Sequence, residues 1–226
     1  AGVANGIGGS VNAVIRKSKV QALIENGVQL DGRNIIIRAK NEGVNLSSAN
    51  SFGKAEKTSV NGALSTNIVD NDTIAQIGET AKVTASEKLS VVATDDLDLW
   101  SVATGWASGG QLGVGIANAN NLISRSTQAL IGSNVLTMPT VGSSSTTYIT
   151  AKAVDVLAEN SGLLIAASIG GGQAARGYSG AASVGLQKLD KVEAVAGINI
   201  GGKMAVGAGG LKVFAKNAAT VIVPPG

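Results

Sequence analysis

The sequence of 226 residues contains no histidine and no cysteine, and aromatic residues make up only 3% of it. Without histidine the chain lacks the usual general base near neutral pH, any Ser-His-Asp relay and the commonest zinc ligand. Without cysteine it lacks thiolate catalysis, iron–sulfur ligation and disulfides. These absences predict a protein that is not an enzyme and that uses no cofactor and no metal.

Clustered charge and long apolar runs are also missing. The net charge is +3, but the basic residues are interspersed with acidic ones rather than gathered in a patch, so nucleic-acid binding is not expected. No apolar run reaches the roughly 18 residues that a transmembrane helix needs, and residues 1–10 lack the pattern of a signal peptide. We therefore expect no membrane insertion by this segment.

The residues that are abundant point to β-structure. The chain has 31 glycines and a hydrophobic share of 44%, made mostly of Ala, Val, Ile and Leu. Apolar and polar residues alternate with a period of two, as where Ile35, Ile37 and Ala39 alternate with Ile36, Arg38 and Lys40. This alternation predicts strands with one face turned inward.

Two sets of alanines recur along the chain, at intervals of roughly 53 to 65 residues. The first set follows a β-branched residue by two positions and consists of Ala22, Ala75, Ala129 and Ala194. The second set follows an aliphatic residue by two positions and consists of Ala39, Ala93, Ala158 and Ala215. From each of Ala39, Ala93 and Ala158 to the next alanine of the first set the step is always 36 residues. Such regularity predicts stacked repeats.

Since 36 is twice 18, the repeat predicts coils of about 18 residues, three in each block of about 54 residues. The expected fold is all-β, a single right-handed parallel β-helix over residues 1–226, cut from a longer stack of coils. Left-handed winding is disfavoured because the aliphatic spacing of six residues that it needs is missing. Matching residues of neighbouring coils should form ladders about 4.8 Å apart.

Turn signals mark the expected corners and one insertion. The corner signals are Asn26-Gly27, Asp31-Gly32, Asn61-Gly62, Ser161-Gly162 and Gly201-Gly202. The longest interval between alanines contains a run rich in Pro, Gly, Ser and Thr, which predicts a loop insertion at about 136–148. That loop is a candidate interaction element, or equally an inert surface loop.

Glycine- and alanine-rich strings at 113–119, 128–132 and 149–152 repeat in a characteristic cadence. In these strings the chain resembles the leukotoxin- and haemagglutinin-like filamentous adhesins of Gram-negative bacteria, which are autotransporter-type passengers. The resemblance implies a secreted, outer-membrane-exported virulence protein at the cell surface. It also implies two kinds of partner: a host-cell surface protein or glycan, and flanking β-helix coils of the same polypeptide.

The sequence offers one candidate ligand surface, made of Asp96, Asp98, Trp100 and Trp106. A sugar ring could stack on an indole beside carboxylates, although a tryptophan on a strand is more often packed under a loop. With Asp95, the two aspartates also invite comparison with β-helical polysaccharide lyases, in which carboxylates hold Ca²⁺. The simpler interpretation is that they solvate an exposed face opposite Leu97 and Leu99.

The predicted function is therefore a structural and adhesive segment of a surface-exposed bacterial adhesin that mediates host-cell or matrix contact. Two alternatives remain at this point. One is a polysaccharide-active β-helix enzyme with lyase-like chemistry at Asp95, Asp96 and Asp98. The other is a passive spacer that binds nothing.

Overall fold

The computed structural model describes residues 4–132, 147–175, 178–187, 191–196 and 203–222, and every regular element within them is a β-strand. The strands are β1 (Asn5–Ile24), β2 (Gln29–Ala55), β3 (Thr58–Ile77), β4 (Lys82–Gly109), β5 (Leu112–Ile131), β6 (Tyr148–Ser161), β7 (Leu163–Ala174), β8 (Tyr178–Gln187), β9 (Lys191–Ala196), β10 (Lys203–Asn217) and β11 (Thr220–Ile222). The prediction of an all-β chain is confirmed.

The strands form two parallel sheets, and β1 to β5 alternate between them. Sheet A has the order β1-β3-β5-β8, and β9 also pairs with β5. In sheet B, β4 lies between β2 on one side and β6 and β7 on the other, and these two pair with β10 and β11. Asn12 Nδ2 donates to Ser48 O at 3.0 Å, and Asn71 Nδ2 donates to Asp95 Oδ2 at 3.1 Å. The two sheets therefore face each other.

The register of both sheets follows the repeat of the sequence. In sheet A, Ala22, Ala75, Ala129 and Ala194 pair in succession, and in sheet B, Ala39, Ala93, Ala158 and Ala215 do the same. The turns are also joined from layer to layer, since Tyr148 N donates to Ala81 O at 3.0 Å and Lys82 N donates to Val28 O at 2.8 Å. The prediction that the two sets of alanines form ladders is confirmed.

The prediction that each repeat block winds through three short coils is wrong. Asn5 pairs with Thr58, and Thr58 pairs with Leu112, so a layer is a whole repeat block of about 54 residues. A layer holds one strand of each sheet, such as β1 with 20 residues and β2 with 27. The constant step from Ala39 to Ala75 is the path along the rest of β2 and back along most of β3. The step of 36 residues therefore spans parts of two successive strands on opposite sheets, and not two coils.

The turn predictions had mixed outcomes. Gly27, in the turn after β1, has a φ angle of +78°, so that corner is confirmed. Ser161-Gly162 is not a corner, because Ser161 pairs with Asp96 and Leu164 pairs with Leu99 of the same strand β4. Gly162, with a φ angle of +122°, is a local break between two strands that continue in one register. Asn61-Gly62 is not a corner, because it lies inside β3, where the Asn61 side chain is buried between the sheets. Asp31-Gly32 lies within β2, next to a bulge. Residues 201–202 and 133–146, which include most of the predicted insertion, lie outside the described residues.

The space between the sheets is divided into apolar and polar bands. Along the inward face of β4 the buried residues are Val83, Ala85, Leu89, Val91 and Ala93, then Asp95, then Leu97 and Leu99, then Ser101, then Ala103 and Ala107. The facing residues of the other strands follow the same order, which yields three separate apolar clusters. Because the inward-facing side chains are buried between the sheets, a ligand could contact only outward-facing residues.

Candidate binding face on sheet B

The four residues of the predicted ligand surface lie on one face of β4. Buried and more exposed residues alternate along this strand, and Asp96, Asp98, Trp100 and Trp106 all occupy outward positions. Each indole is 42% exposed. Neither tryptophan is therefore enclosed under a loop of the described residues.

Asp95 points the other way and is 1% exposed. It cannot share a site with Asp96 and Asp98, because neighbouring residues of a strand face opposite sides of the sheet. Within the described ranges no three His, Cys, Asp or Glu side chains are grouped so that they could hold a metal ion. The three carboxylates on which the lyase alternative rested do not form one site.

Asp96 and Asp98 make contacts that stabilise a break in the neighbouring strand. Ser161 Oγ donates to Asp96 Oδ1 at 2.8 Å, and Leu163 N donates to Asp98 Oδ1 at 2.7 Å. Between these donors lies Gly162, where the carbonyl oxygen of Leu97 would be only 2.1 Å from an added Cβ. The two carboxylates thus hold the ends of β6 and β7 on either side of a break that only glycine fits.

Trp106 packs against the backbone of the neighbouring strand β7. In register with it lie Phe52 on β2 and Gly171 on β7. An added Cβ at Gly171 would be 2.2 Å from Trp106 Cε3 and 2.3 Å from Cζ3, so the indole ring lies over the glycine. An indole that lies along the sheet in this way has one face on the backbone and leaves the other for a ligand.

The outward positions between the two tryptophans are uncharged, whereas Asp98 lies next to Trp100 on β4 and Lys54 lies next to Phe52 on β2. Outward positions between and beside them on the three adjacent strands hold Leu46, Ser48, Asn50, Phe52, Val102, Thr104, Ile165, Ala167, Ile169 and Gly171. Phe52 is 70% exposed and Ile169 is 61% exposed. Trp100 and Trp106 are six residues apart, or roughly 20 Å along the strand. We call these residues, with the two tryptophans, the aromatic face.

The sequence did not reveal the main charged contact of the interior. Arg125 Nη1 lies 3.2 Å from Asp95 Oδ1, and the two side chains are 0% and 1% exposed. Arg125 is 30 positions from Asp95 and comes from the facing sheet. A signal existed, because Arg125 has the same parity as Thr127 and Ala129 and so falls on the inward face of its strand. Since both groups are sealed from solvent, this pair is structural.

Comparisons with known proteins give no further information. The chain matches no protein-family model, and neither the curated proteins nor the solved structures contain a significant match. Within the described residues there is no helix with the length and apolarity of a membrane span.

Proposed function

We propose that the chain is a segment of a two-sheet β-solenoid that serves as a rigid stalk and presents its outer faces for contact. The observation that supports this proposal is the register, in which each strand of the main repeat pairs with the strand one whole repeat block later. We propose right-handed winding, because connections between parallel strands are right-handed in about 98% of cases. The proposed setting is the bacterial cell surface, as the sequence resemblance implies.

The open edge of the first layer supports the presence of flanking coils. Among the described residues, β1 and β2 each pair with a strand on one side only. In the next layer Ala75 and Ile77 are completely buried, whereas their partners Ala22 and Ile24 are only partly buried. A further coil would bury these side chains and pair the free backbone groups, which otherwise invite uncontrolled pairing.

The proposed adhesive activity resides in the aromatic face, with a neutral host-cell glycan as the partner. Flat, exposed indoles offer a surface for the apolar side of a sugar ring. Ser48, Asn50 and Thr104 supply hydroxyl and amide groups for its hydroxyls. The outward positions between the tryptophans carry no charge, and Asp98 lies beside Trp100, which favours an uncharged ligand over an acidic one.

Titration of purified protein with a panel of neutral glycans, followed by tryptophan fluorescence, tests this activity. We expect saturable binding that weakens about tenfold or more in Trp106→Ala, since a buried tryptophan contact is a typical energetic hot spot. Gly171→Ala should also weaken binding, because the added methyl group displaces the indole. Leu23→Ala, which removes an exposed apolar side chain from sheet A, is the matched control. Absence of binding across the panel would leave only the stalk role.

A further inference from the structure

A second surface feature lies on sheet B, away from the aromatic face. It is an open groove of about 480 Å³ on the outer side of β2, β4, β6 and β10. The groove crosses four layers, and its size falls within the usual range for small-molecule sites, about 300 to 1,000 Å³. Its floor is apolar and includes Ile36, Val92, Leu157 and Phe214.

Stacked bulges explain why the sheet is concave here. The pairing shifts register between Gly32 and Asn34 on β2, between Ala85 and Lys88 on β4, and between Val206 and Gly210 on β10. A bulge bends its strand, and bulges repeated in successive layers bend the whole sheet. Asn34 and Lys88, the first residues after the bulges on their strands, line the groove.

The charges around the groove are unequal. Arg38, Lys88 and Lys212 line it, together with a single carboxylate, that of Asp155. Lys88 Nζ is 2.5 Å from Asp155 Oδ2, so this pair is neutralised. Arg38 and Lys212 have no ion-pair partner among the described residues. The groove therefore has an excess of positive charge that is open to a ligand.

One column of the register joins a cation to the apolar floor. Arg38 pairs with Val92, Val92 with Leu157, and Leu157 with Phe214. At about 4.8 Å per layer, the column is roughly 14 Å long. Phe214, at the far end of the column, is 55% exposed, so its ring is open to a ligand. This column is a straight apolar path with a guanidinium at one end.

We propose that the groove binds a small amphipathic anion with an unbranched aliphatic body and a carboxylate head. The carboxylate pairs with Arg38, whose planar fork matches two carboxylate oxygens. The aliphatic body lies across the layers on Val92, Leu157 and Phe214. A heavily hydrated polyanion fits less well, because it would have to be desolvated against this apolar floor. The proposal is independent of the glycan activity, which uses a different part of the sheet.

Isothermal titration with dodecanoate, kept below its micelle concentration, tests the proposal. We expect one saturable site, no comparable binding of dodecyltrimethylammonium, and an affinity about tenfold lower in Arg38→Gln. Leu157→Ser should weaken binding several-fold, because it removes an apolar side chain from the floor of the groove. The matched control is Lys54→Gln, which removes one exposed cation from the same sheet outside the groove and should bind as the parent does. Circular dichroism confirms that each variant is folded.

Three results would contradict the proposal that the groove is a binding site for an aliphatic carboxylate. The cationic amphiphile could bind as tightly as dodecanoate, which would show a purely apolar patch. Lys54→Gln could weaken binding as much as Arg38→Gln, which would show diffuse charge attraction. Binding could also be limited to vesicles that contain anionic lipid, with no saturable binding of free dodecanoate, which would show a membrane-contact surface instead.

Discussion

Two neighbouring regions of the interior differ in the interactions that join the two sheets. Near the turn between β3 and β4, the sheets meet through an apolar cluster that includes Ile77, Leu89 and Val91, all completely buried. A few residues further along β4, Asp95 accepts hydrogen bonds from Asn41 Nδ2 at 2.8 Å and from Asn71 Nδ2 at 3.1 Å. The apolar cluster supplies burial energy, whereas the polar band supplies specific partners.

That difference bears on how the register is chosen. A shift of two residues in the apolar cluster exchanges one aliphatic side chain for another and keeps the same face inward. The same shift at Asp95 would leave a buried carboxylate without its donors and would separate Arg125 from its carboxylate partner. The polar band therefore penalises slipped pairings, a role that buried polar groups have in other folds. It does so at a cost, since Asn71 Oδ1 and Asn160 Nδ2 lack a hydrogen-bond partner among the described residues.

The largest expected effect comes from breaking the polar band. Asp95→Ala should lower the free energy of unfolding by about 3 to 5 kcal/mol, because it leaves the guanidinium of Arg125 buried without its carboxylate. Guanidinium chloride denaturation measures the loss. The double variant Asp95→Asn with Arg125→Met should lose far less, since neither charge remains and the new amide oxygen can still accept from Asn41 and Asn71. A double variant that is as unstable as Asp95→Ala would contradict the view that the unpaired guanidinium causes the loss.

A smaller effect is expected in the apolar cluster, and it should depend on the layer. Ile77→Ala should cost about 3 kcal/mol, the usual range for a fully buried isoleucine. Ile24→Ala, at the paired position in the first layer, should cost about half as much because Ile24 is already partly exposed. The same denaturation experiment compares the two variants. Equal losses would mean that the first layer is covered in solution, for instance by a second copy of the chain.

The sequence predicted the parts of the fold that depend on side-chain class and spacing. Alternation identified the inward face around Ile35 and Ile37, and the spacing of the alanines identified which residues would be stacked. Asn26-Gly27 was a reliable corner because Gly27 needs a positive φ angle. The shared face of Trp100 and Trp106 also followed from their even separation.

Other features depend on distances that spacing alone does not contain. The constant step between the two sets of alanines is compatible with two short coils or with one long outward and return path, and only pairing distinguishes them. Asn61-Gly62 has the composition of a corner, but Asn61 is instead part of a buried polar band, where its Nδ2 donates to Ser59 Oγ at 3.2 Å. The ion pair of Asp95 and Arg125, and the groove next to the stacked bulges, arise from strands that are distant in sequence.

Engineered cysteine pairs test the two-strand layer directly, because the chain has no native cysteine. Ser48 and Val102 are register partners on the outside of sheet B, so the pair Ser48→Cys with Val102→Cys should form an intramolecular disulfide on mild oxidation. Ser48→Cys with Thr66→Cys, a pair that short coils would have stacked, should stay reduced, since Thr66 lies on sheet A. Mass spectrometry of the oxidised proteins shows which of the two cysteine pairs has formed a disulfide. A disulfide in the second pair and none in the first would contradict the two-sheet layer.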